Sequence, residues 1–382
     1  MEKMTIEKQV RTRLTIEAFG NPFPLQQARE DFVACHIEPC FERNILGYER
    51  FRKLMHHLSY KTVRNFIQML DDDPQISGVK TNQIRRKGKE VKVFVVDEKT
   101  RKTFDTVGRF LIDLIEIDHN IIFPETEDEM TCLLAMVTRA IATGKPITLC
   151  TPICPDWSRD EKGRYDFKSL GGSESFIANK FFNYGQELLS LFAKHKIPFQ
   201  GVILFANWGL ETEIDAKDTY GRKLLPDDVR MCFASTFART DEKLSELQKS
   251  QETTSIFGDF RVVSMKGFLE ERLDIPEVQR RLYDFFTTDK KGKRLVDVLA
   301  TQSLKINKDR LSVDDQTNRE LALRNVVEYA TVGQSLDGHS ILIVCESRTT
   351  SRAYNLPRKR DDNVPVFYLK GQESLESGVN IL

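Results

Sequence analysis

GVILFA, at residues 201–206, is an unbroken apolar stretch between Gln200 and Asn207. A short run of this kind is typical of a strand that is buried on both faces of a sheet. Comparable stretches occur at Lys145–Ile153, Phe260–Met265, His339–Ser347 and Val364–Lys370. Because helices must cover both faces of such a sheet, the sequence predicts an α/β fold with a Rossmann-like sheet and flanking helices.

Segments with helical periodicity separate these strands. Glu125–Lys145 begins with acidic residues, which are favourable at a helix N-terminus, and Gly144 is a suitable residue to end it. The predicted α/β domain extends from residue 121 to residue 382. Its other predicted helices are Ser173–Lys196, Pro226–Leu247, Pro276–Phe286 and Arg319–Tyr329.

Residues 1–120 are predicted to form a smaller N-terminal α+β module. The pattern predicts two helices joined at Leu58–Ser59, followed by a hairpin with its tip at Arg86–Lys89. Two helices followed by a basic hairpin resemble a winged helix, and residues 80–102 include nine basic and three acidic side chains. The module could bind nucleic acid, or it could serve only packing or protein contact. The side chains predicted to contact nucleic acid are Lys61, Arg64, Arg86, Lys87 and Lys89.

The composition is that of a globular protein and excludes several other classes. The 382 residues include 57 basic and 57 acidic side chains, so the chain lacks the positive surplus of a protein that coats nucleic acid. No apolar stretch is long enough to span a membrane, and the charged start has no signal-peptide pattern. The seven cysteines are odd in number and favour a reducing compartment. We therefore expect a cytoplasmic protein of two domains without membrane contact.

Polar side chains follow three of the predicted strands. In an open α/β sheet, ligands bind beyond the carboxyl ends of the strands, so these side chains are candidates for a pocket. They could instead cap helices, form surface ion pairs or face solvent. They are Asp156 after the first strand, Asn207, Trp208 and Glu211 after the second, and Arg348, Arg352 and Tyr354 after the strand near residue 347.

A glycine-containing turn provides a candidate anion site. In DFKSLGGSES, residues 166–175, two glycines free the backbone and Ser173 can cap the helix that follows. Backbone N–H groups and the helix dipole would then favour a phosphate or carboxylate, with Lys168 close in sequence. The same turn also caps helices without any ligand.

Cys150 and Cys154 form a C-x3-C pair. Structural zinc sites need four ligands, and no second pair of cysteine or histidine is evident, so no metal site is predicted. The two cysteines are expected to be small apolar side chains in a strand and at its exit. No motif identifies a cofactor.

Four segments of residues 144–247 occur in a distinctive order: GKPITLCTPICP, DFKSLGGSES, FFNYGQELLSLFAKHKI and GVILFANWGLE. This order resembles the isonitrile synthases of pyoverdine and dityrosine biosynthesis, in which a strand, a Phe-Lys-Ser element, a long helix and a second strand follow one another. Of that family's F-P-F-K-S run only Phe167-Lys168-Ser169 is present, and its Pro-Asp before the helix is absent.

The resemblance implies a synthase that converts an amino-acid amine to an isonitrile, with a sugar phosphate as the carbon donor. It implies that Lys168 contacts a carbonyl or phosphate group. It also implies that Arg348 or Arg352 holds a carboxylate by paired hydrogen bonds.

These features predict an enzyme that acts on a small anionic metabolite, such as an amino acid or a sugar phosphate. In its sharpest form the prediction is a synthase or transferase of amino-acid-derived compounds. Two alternatives stay open: a regulator with a nucleic-acid-binding N-terminal module and a ligand-sensing α/β domain, and an interaction protein without chemistry. The predicted catalytic residues are Asp156, Lys168 and Glu211, and the predicted substrate-binding residues are Ser173, Asn207, Trp208, Arg348, Arg352 and Tyr354.

Overall fold

The structure is a computed structural model. It describes residues 58–76, 79–86, 89–117, 121–122, 126–153, 177–206, 226–307, 315–344, 348–358 and 362–369, together with Val33, Ile37 and Pro124. The chain divides into two compact units. The first comprises Met1–Asp118, Pro124–Ile147 and Ser190–Pro198, and the second comprises His119–Phe123, Thr148–Leu189 and Phe199–Leu382. The division after residue 120 stays a prediction.

The first unit begins, within the described residues, with a helix, a hairpin and a second helix. The elements are α1 (Tyr60–Asp71), β1 (Val79–Arg86), β2 (Lys89–Val96) and α2 (Glu98–Glu116). The Ser59 side chain accepts a hydrogen bond from the Thr62 N–H at 3.1 Å, which caps α1 as expected. The strands β1 and β2 are antiparallel, and Arg86 pairs with Lys89 at the tip. The helix predicted before Leu58 lies outside the described residues.

The helix α3 (Glu127–Thr143) is the most buried element described in the first unit. Eleven of its residues are buried. The Thr126 side chain accepts from the Glu129 N–H at 3.1 Å, and Gly144 ends the helix in the left-handed conformation with φ of 73°. Thr131 donates to the carbonyl of Thr62 at 3.4 Å and thereby links α3 to α1. The predicted acidic start and glycine end of this helix are therefore confirmed.

The second unit contains most of the strands and helices. The strands are β3 (Ile121–Ile122), β4 (Ile147–Ile153), β5 (Phe199–Phe205), β6 (Phe260–Ser264), β7 (Ser340–Val344) and β8 (Val366–Leu369), of which β4 starts one residue before the unit boundary. The helices are α4 (Ile177–Lys194), α5 (Pro226–Lys249), α6 (Thr254–Phe257), α7 (Met265–Glu270), α8 (Ile275–Thr288), α9 (Lys290–Asn307), α10 (Asp315–Ser335) and α11 (Arg348–Asn355). The last turn of α4 belongs to the first unit.

The six strands form one sheet in the spatial order β3-β8-β7-β4-β5-β6. The pairs β4–β7, β7–β8 and β5–β6 are parallel, whereas β3 is antiparallel to β8. The strands β4 and β5 are parallel as well, because their first residues and their last residues pair with each other. Ile147 N donates to Pro198 O at 2.9 Å at the start, and Ala206 N donates to Ile153 O at 2.8 Å at the end. Five parallel strands with helices between them confirm the predicted α/β class.

Helices cover both faces of this sheet. On one face, Cys150, Val202, Leu204, Leu342 and Val344 share a core cluster with residues of α7, α10 and α11. Because side chains alternate along a strand, Thr151, Ile203 and Phe205 lie on the other face. On that face Phe205 packs against Phe237 of α5 at a centroid distance of 5.6 Å, and Phe181 of α4 packs against Phe260 at 5.8 Å. The continuous apolar strands are thus explained by burial on both faces.

Within the described residues, no helix is both long and apolar enough to cross a lipid bilayer.

Candidate active site

The parallel strands reverse their order at one place in the sheet. From β4 the chain proceeds outward to β5 and β6, and it then returns to the other side of β4 to add β7 and β8. The strand order therefore reverses between β4 and β7, and in open α/β sheets such a reversal creates a crevice beyond the carboxyl ends of the two strands. Ligands of open α/β sheets bind in that crevice.

The predicted site residues follow β4, β5 and β7 in the sequence. Asp156, Lys168 and Ser173 follow β4, and Asn207, Trp208 and Glu211 follow β5. These six residues lie outside the described parts of the chain. Because β4 lies between β5 and β7 and the three strands are parallel, their carboxyl ends are neighbours at one edge of the sheet.

Arg348 and Arg352 belong to α11, which follows β7. The structure describes the backbone of Arg348 but not its side chain, and it places Arg352 on the exposed surface of the helix. Tyr354 is fully buried among the core residues of the sheet face that α7 and α10 cover. Its ring packs edge-on against Tyr329 at a centroid distance of 5.4 Å. The structure thus shows a packing role for Tyr354, and its contact with a substrate stays a prediction.

The C-terminal end of α11 is fixed by polar contacts. The Asn355 side chain donates to the Val364 carbonyl at 2.7 Å and accepts from the Val364 N–H at 2.8 Å. The Arg358 guanidinium donates to the carbonyls of Gly333 and Leu336 at the end of α10. The bonds from Arg358 satisfy carbonyls at the end of α10, where a helix leaves such groups unpaired. Together with the Asn355 bonds they fix the position of α11, the helix that contains Arg348 and Arg352.

Two polar groups with buried atoms in the second unit belong to residues that the sequence did not predict as site residues. The Thr151 hydroxyl lies near the carboxyl end of β4, and the Arg239 Nη1 atom lies on α5. Both atoms are buried, and neither has a hydrogen-bond partner within the described ranges. A single sequence contains no signal for such groups, since threonine is common in strands and arginine is common on helices.

The thiol of Cys150 is not a candidate nucleophile. Cys150 is fully buried in β4, and burial raises the pKa of its thiol to about 12, with a smaller contribution from the charge of Asp337. The thiolate is the reactive form of cysteine, so this side chain is inert at neutral pH. In the parts of the chain that the structure describes, no three potential ligands come together as a metal site requires.

A cavity of about 490 Å³ lies among α8, α9 and α10, away from the strand ends. Some of its polar side chains have partners: Arg319 lies 3.1 Å from Asp297, and Gln316 donates to Glu320 at 3.2 Å. We assign this cavity no role in the site. Its walls are formed by Phe286, Thr287, Lys293, Val296, Gln316, Arg319, Glu320 and Leu323.

The side chains predicted for nucleic-acid contact are only partly described. The Lys61 ammonium lies 3.2 Å from Glu127 and 3.6 Å from Asp128 at the start of α3, so its charge is already balanced within the unit. The structure describes only the backbone of Arg64, Arg86 and Lys89, and Lys87 lies outside the described residues.

Comparisons with known proteins identify no family for this chain. No family model matches the sequence, and no curated protein matches it significantly. A solved structure of a CDPS from Fluoribacter dumoffii is similar over 59% of this chain and 90% of its own, with 14% sequence identity and a TM-score of 0.36. This level of similarity assigns neither a fold nor an activity.

Proposed function

We propose that this protein is an enzyme that acts on a small anionic metabolite at the carboxyl edge of its parallel sheet. The observation that carries the proposal is the strand order, since the reversal between β4 and β7 creates a ligand-binding crevice in sheets of this kind. Asp156 follows β4 in the sequence, and the helix after β7 begins with Arg348. These two residues thus follow the two strands between which the order reverses.

The proposed roles follow from the chemistry of these side chains. Asp156, Lys168 and Glu211 are the candidates for proton transfer and for contact with a reacting carbonyl or phosphate group. Arg348 and Arg352 are suited to hold an anionic group, because a guanidinium can donate two parallel hydrogen bonds to a carboxylate or phosphate. Ser173, Asn207, Trp208 and Tyr354 complete the proposed substrate-binding set.

More specifically, we propose that the enzyme is a synthase or transferase of amino-acid-derived compounds, similar to the isonitrile synthases. It rests on the order of sequence segments over residues 144–247, with Phe167-Lys168-Ser169 as the shared element. An amino acid and a sugar phosphate would then be the two substrates.

The test is thermal unfolding of the full chain with amino acids, sugar phosphates, nucleotides and divalent metal ions. A ligand that binds only the folded state raises stability by about 2.7 kcal/mol at a hundredfold excess over Kd. We expect stabilisation by a sugar phosphate or an aromatic amino acid. Nucleotides or metal ions as the sole stabilising ligands would contradict the specific form.

Two variants then test the site. Asp156→Ala is expected to lower turnover about 10²–10⁴-fold if the carboxylate transfers a proton. Arg348→Ala is expected to weaken binding of the anionic substrate about 10–100-fold, the effect of losing a hydrogen bond to a charged group. Arg280→Ala is the matched control, since Arg280 is exposed on α8 and pairs with Glu277 of the same helix. Wild-type kinetics in both site variants would refute the proposed site.

The second candidate function is a ligand-sensing regulator that binds nucleic acid through a winged-helix-like N-terminal module. The observation that favours it is the hairpin β1–β2, whose tip at residues 86–89 includes Arg86, Lys87 and Lys89. Phosphate contacts of basic hairpins of this kind position a protein on a duplex.

Fluorescence anisotropy with a labelled DNA duplex at low salt tests this candidate. We expect the triple variant Arg86→Ala, Lys87→Ala, Lys89→Ala to bind more weakly than the wild type. Replacement of the exposed Lys290, Lys291 and Lys293 on α9 by alanine is the control with equal charge change. Equal binding by both variants would contradict a role for the hairpin.

A further inference from the structure

The cavity among α8, α9 and α10 has an apolar floor. Phe286 of α8, Val296 of α9 and Leu323 of α10 line it, and they are 1%, 2% and 9% exposed. All three belong to the core cluster that these helices share. The volume of about 490 Å³ is within the range of about 300–1,000 Å³ that is usual for sites of small ligands. The floor therefore offers apolar contacts to a ligand of that size.

The rim of the same cavity is polar. Lys293 is exposed in the first turn of α9, and Gln316, Arg319 and Glu320 are exposed in the first turns of α10. Thr287, near the end of α8, is partly exposed. Because the floor is buried and the rim is exposed, the lining changes from apolar inside to polar at the surface. Such a gradient suits an amphipathic ligand, with its apolar body inside and its polar head at the rim.

The charges at the rim favour a head group with one negative charge. Among the described residues, none forms an ion pair with the Lys293 ammonium. Arg319 Nη2 lies 3.1 Å from Asp297 Oδ1, but a guanidinium has five N–H donors, so others can bind a ligand. The Glu320 carboxylate also lies at the rim, where it accepts from Gln316 at 3.2 Å. Because like charges repel, Asp297 and Glu320 disfavour a doubly charged phosphate relative to a carboxylate.

We propose that this cavity is a binding site for an amphipathic carboxylate of the size of a medium-chain fatty acid. The apolar body of the ligand packs on Phe286, Val296 and Leu323. Its carboxylate accepts hydrogen bonds from Lys293 and Arg319, and hydrogen bonds between charged groups are the strong ones. Every residue that lines the cavity lies within the described ranges. The inference goes beyond the proposed function and does not depend on the residues at the strand ends.

The test compares the Tm of the full chain in octanoate, octanol and acetate at equal ionic strength. Octanoate has both the apolar body and the carboxylate, whereas octanol lacks the charge and acetate lacks the body. We expect octanoate to raise Tm in a saturable way, because a ligand that binds only the folded state stabilises it. Octanol should raise Tm less at the same concentration, and acetate should leave it unchanged.

Two variants test the two parts of the site. Lys293→Gln should weaken the binding of octanoate about 10–100-fold, the effect of losing a hydrogen bond between charged groups, and should leave the binding of octanol unchanged. Its control is Lys291→Gln, an exposed residue of α9 that does not line the cavity. Thr287→Phe should fill the cavity and abolish the effects of both octanoate and octanol. Its control is Thr288→Phe, an exposed neighbour outside the lining.

Several results would overturn the proposal. Equal octanoate effects in Lys293→Gln and Lys291→Gln, or in Thr287→Phe and Thr288→Phe, would show that the fatty acid binds elsewhere. No octanoate effect on the wild type would show that the cavity binds no such ligand. A lower Tm of ligand-free Thr287→Phe than of Thr288→Phe would show that the chain itself fills the cavity, for example with residues 308–314 between α9 and α10. None of these outcomes bears on the proposed function, which the strand-end variants test separately.

Discussion

The Nε2 atom of His195 lies 2.6 Å from the Oδ2 atom of Asp113 in the first unit. The Lys194 ammonium lies 2.6 Å from the same oxygen, and the His195 side chain is only 9% exposed. His195 also packs edge-on against Phe110 at a centroid distance of 5.9 Å. One carboxylate thus connects α2 to the residues at the end of α4.

Asp113 is expected to make the stability of the first unit depend on pH. Burial alone would raise the pKa of its carboxyl, but hydrogen bonds and charge from Lys194 and His195 outweigh burial and lower the pKa. A lowered pKa in the folded state stabilises the protein above the unfolded pKa of about 3.9. That stabilisation is lost as the pH falls through the folded pKa.

We therefore expect Asp113→Asn to lower the free energy of unfolding by about 1.5–3 kcal/mol at pH 7, the contribution of hydrogen bonds to a charged group. The free energy of unfolding is measured with urea at pH 7 and at pH 3. The difference in this free energy between wild type and variant should be smaller at pH 3. Glu98→Gln on the same helix is the control, since Glu98 is 82% exposed in its pair with Lys102. A difference that is constant with pH would contradict the role of the ionised carboxylate.

The ion pair between Asp73 and Arg139 is expected to be a larger stabilising element. Asp73 Oδ2 accepts from Arg139 Nε, and the two side chains are 5% and 16% exposed, respectively. Asp73 also accepts from the Gln75 N–H at 2.9 Å. Removing one partner of a buried pair leaves the other charge unpaired, which costs about 3–5 kcal/mol.

Urea denaturation of Asp73→Ala, Arg139→Met and the double variant tests this expectation. The double variant should lose less stability than the sum of the single variants, because it leaves no unpaired charge. The exposed pair of Lys243 and Glu246 provides the comparison, and Glu246→Ala should cost at most about 1 kcal/mol. Strict additivity at Asp73 and Arg139 would show that the two charges are not coupled.

Gly333 is expected to tolerate no side chain. A Cβ atom built on Gly333 in α10 would lie 2.1 Å from the carbonyl oxygen of Tyr354 in α11. Backbone cannot move aside as a flexible side chain can, so Gly333→Ala should lower the free energy of unfolding by about 1–3 kcal/mol or more. A Cβ atom built on Gly338 would meet no other atom within 4 Å, so Gly338→Ala should change the free energy of unfolding by at most about 0.5 kcal/mol. Thermal unfolding of the two variants makes the comparison, and equal effects would contradict the close approach of α10 and α11.

Cys150 is expected to resist alkylation in the folded protein. Its pKa of about 12 lies well above that of a free thiol, so its thiolate fraction at pH 8 is reduced by about 10³-fold. Peptide mapping by mass spectrometry after brief iodoacetamide treatment should detect modified Cys150 only when urea is present. Modification at equal rates with and without urea would contradict its burial. Cys150→Ala should leave turnover unchanged.

Much of the local structure could be predicted because neighbouring residues encode it. The Ser59 cap, the hairpin tip at Arg86–Lys89 and the Gly144 helix end each depend on residues a few positions apart. The prediction missed α9, whose start at Lys290 follows the end of α8 after the single residue Asp289. Asp289 accepts from the N–H groups of Lys291 and Gly292 at 2.8 and 3.1 Å and begins the new helix. The glycine within KKGK concealed this start, since glycine has a low helix propensity.

The segment that ends α2 is a second place where the local sequence pattern is misleading. The apolar residues Phe110, Leu111 and Ile112 resemble a connection to the next domain, but they belong to the last turns of a 19-residue helix. All three are buried, and Phe110 packs against Phe192 at a centroid distance of 5.2 Å. A run of three consecutive apolar residues does not show helical periodicity by itself, so the end of this helix is hard to identify from the local pattern.

The sequence by itself determined the long strands and several of the helices, together with the residue types at the ends of the strands. Apolar runs such as GVILFA specify buried strands because their side chains favour an interior on both faces. Only the tertiary structure decided the strand order, which reverses between β4 and β7, and only it showed that Tyr354 is in the core. Strand order and burial depend on packing between residues that are far apart in the chain. A local pattern cannot encode such contacts, whereas it can encode a cap or a turn.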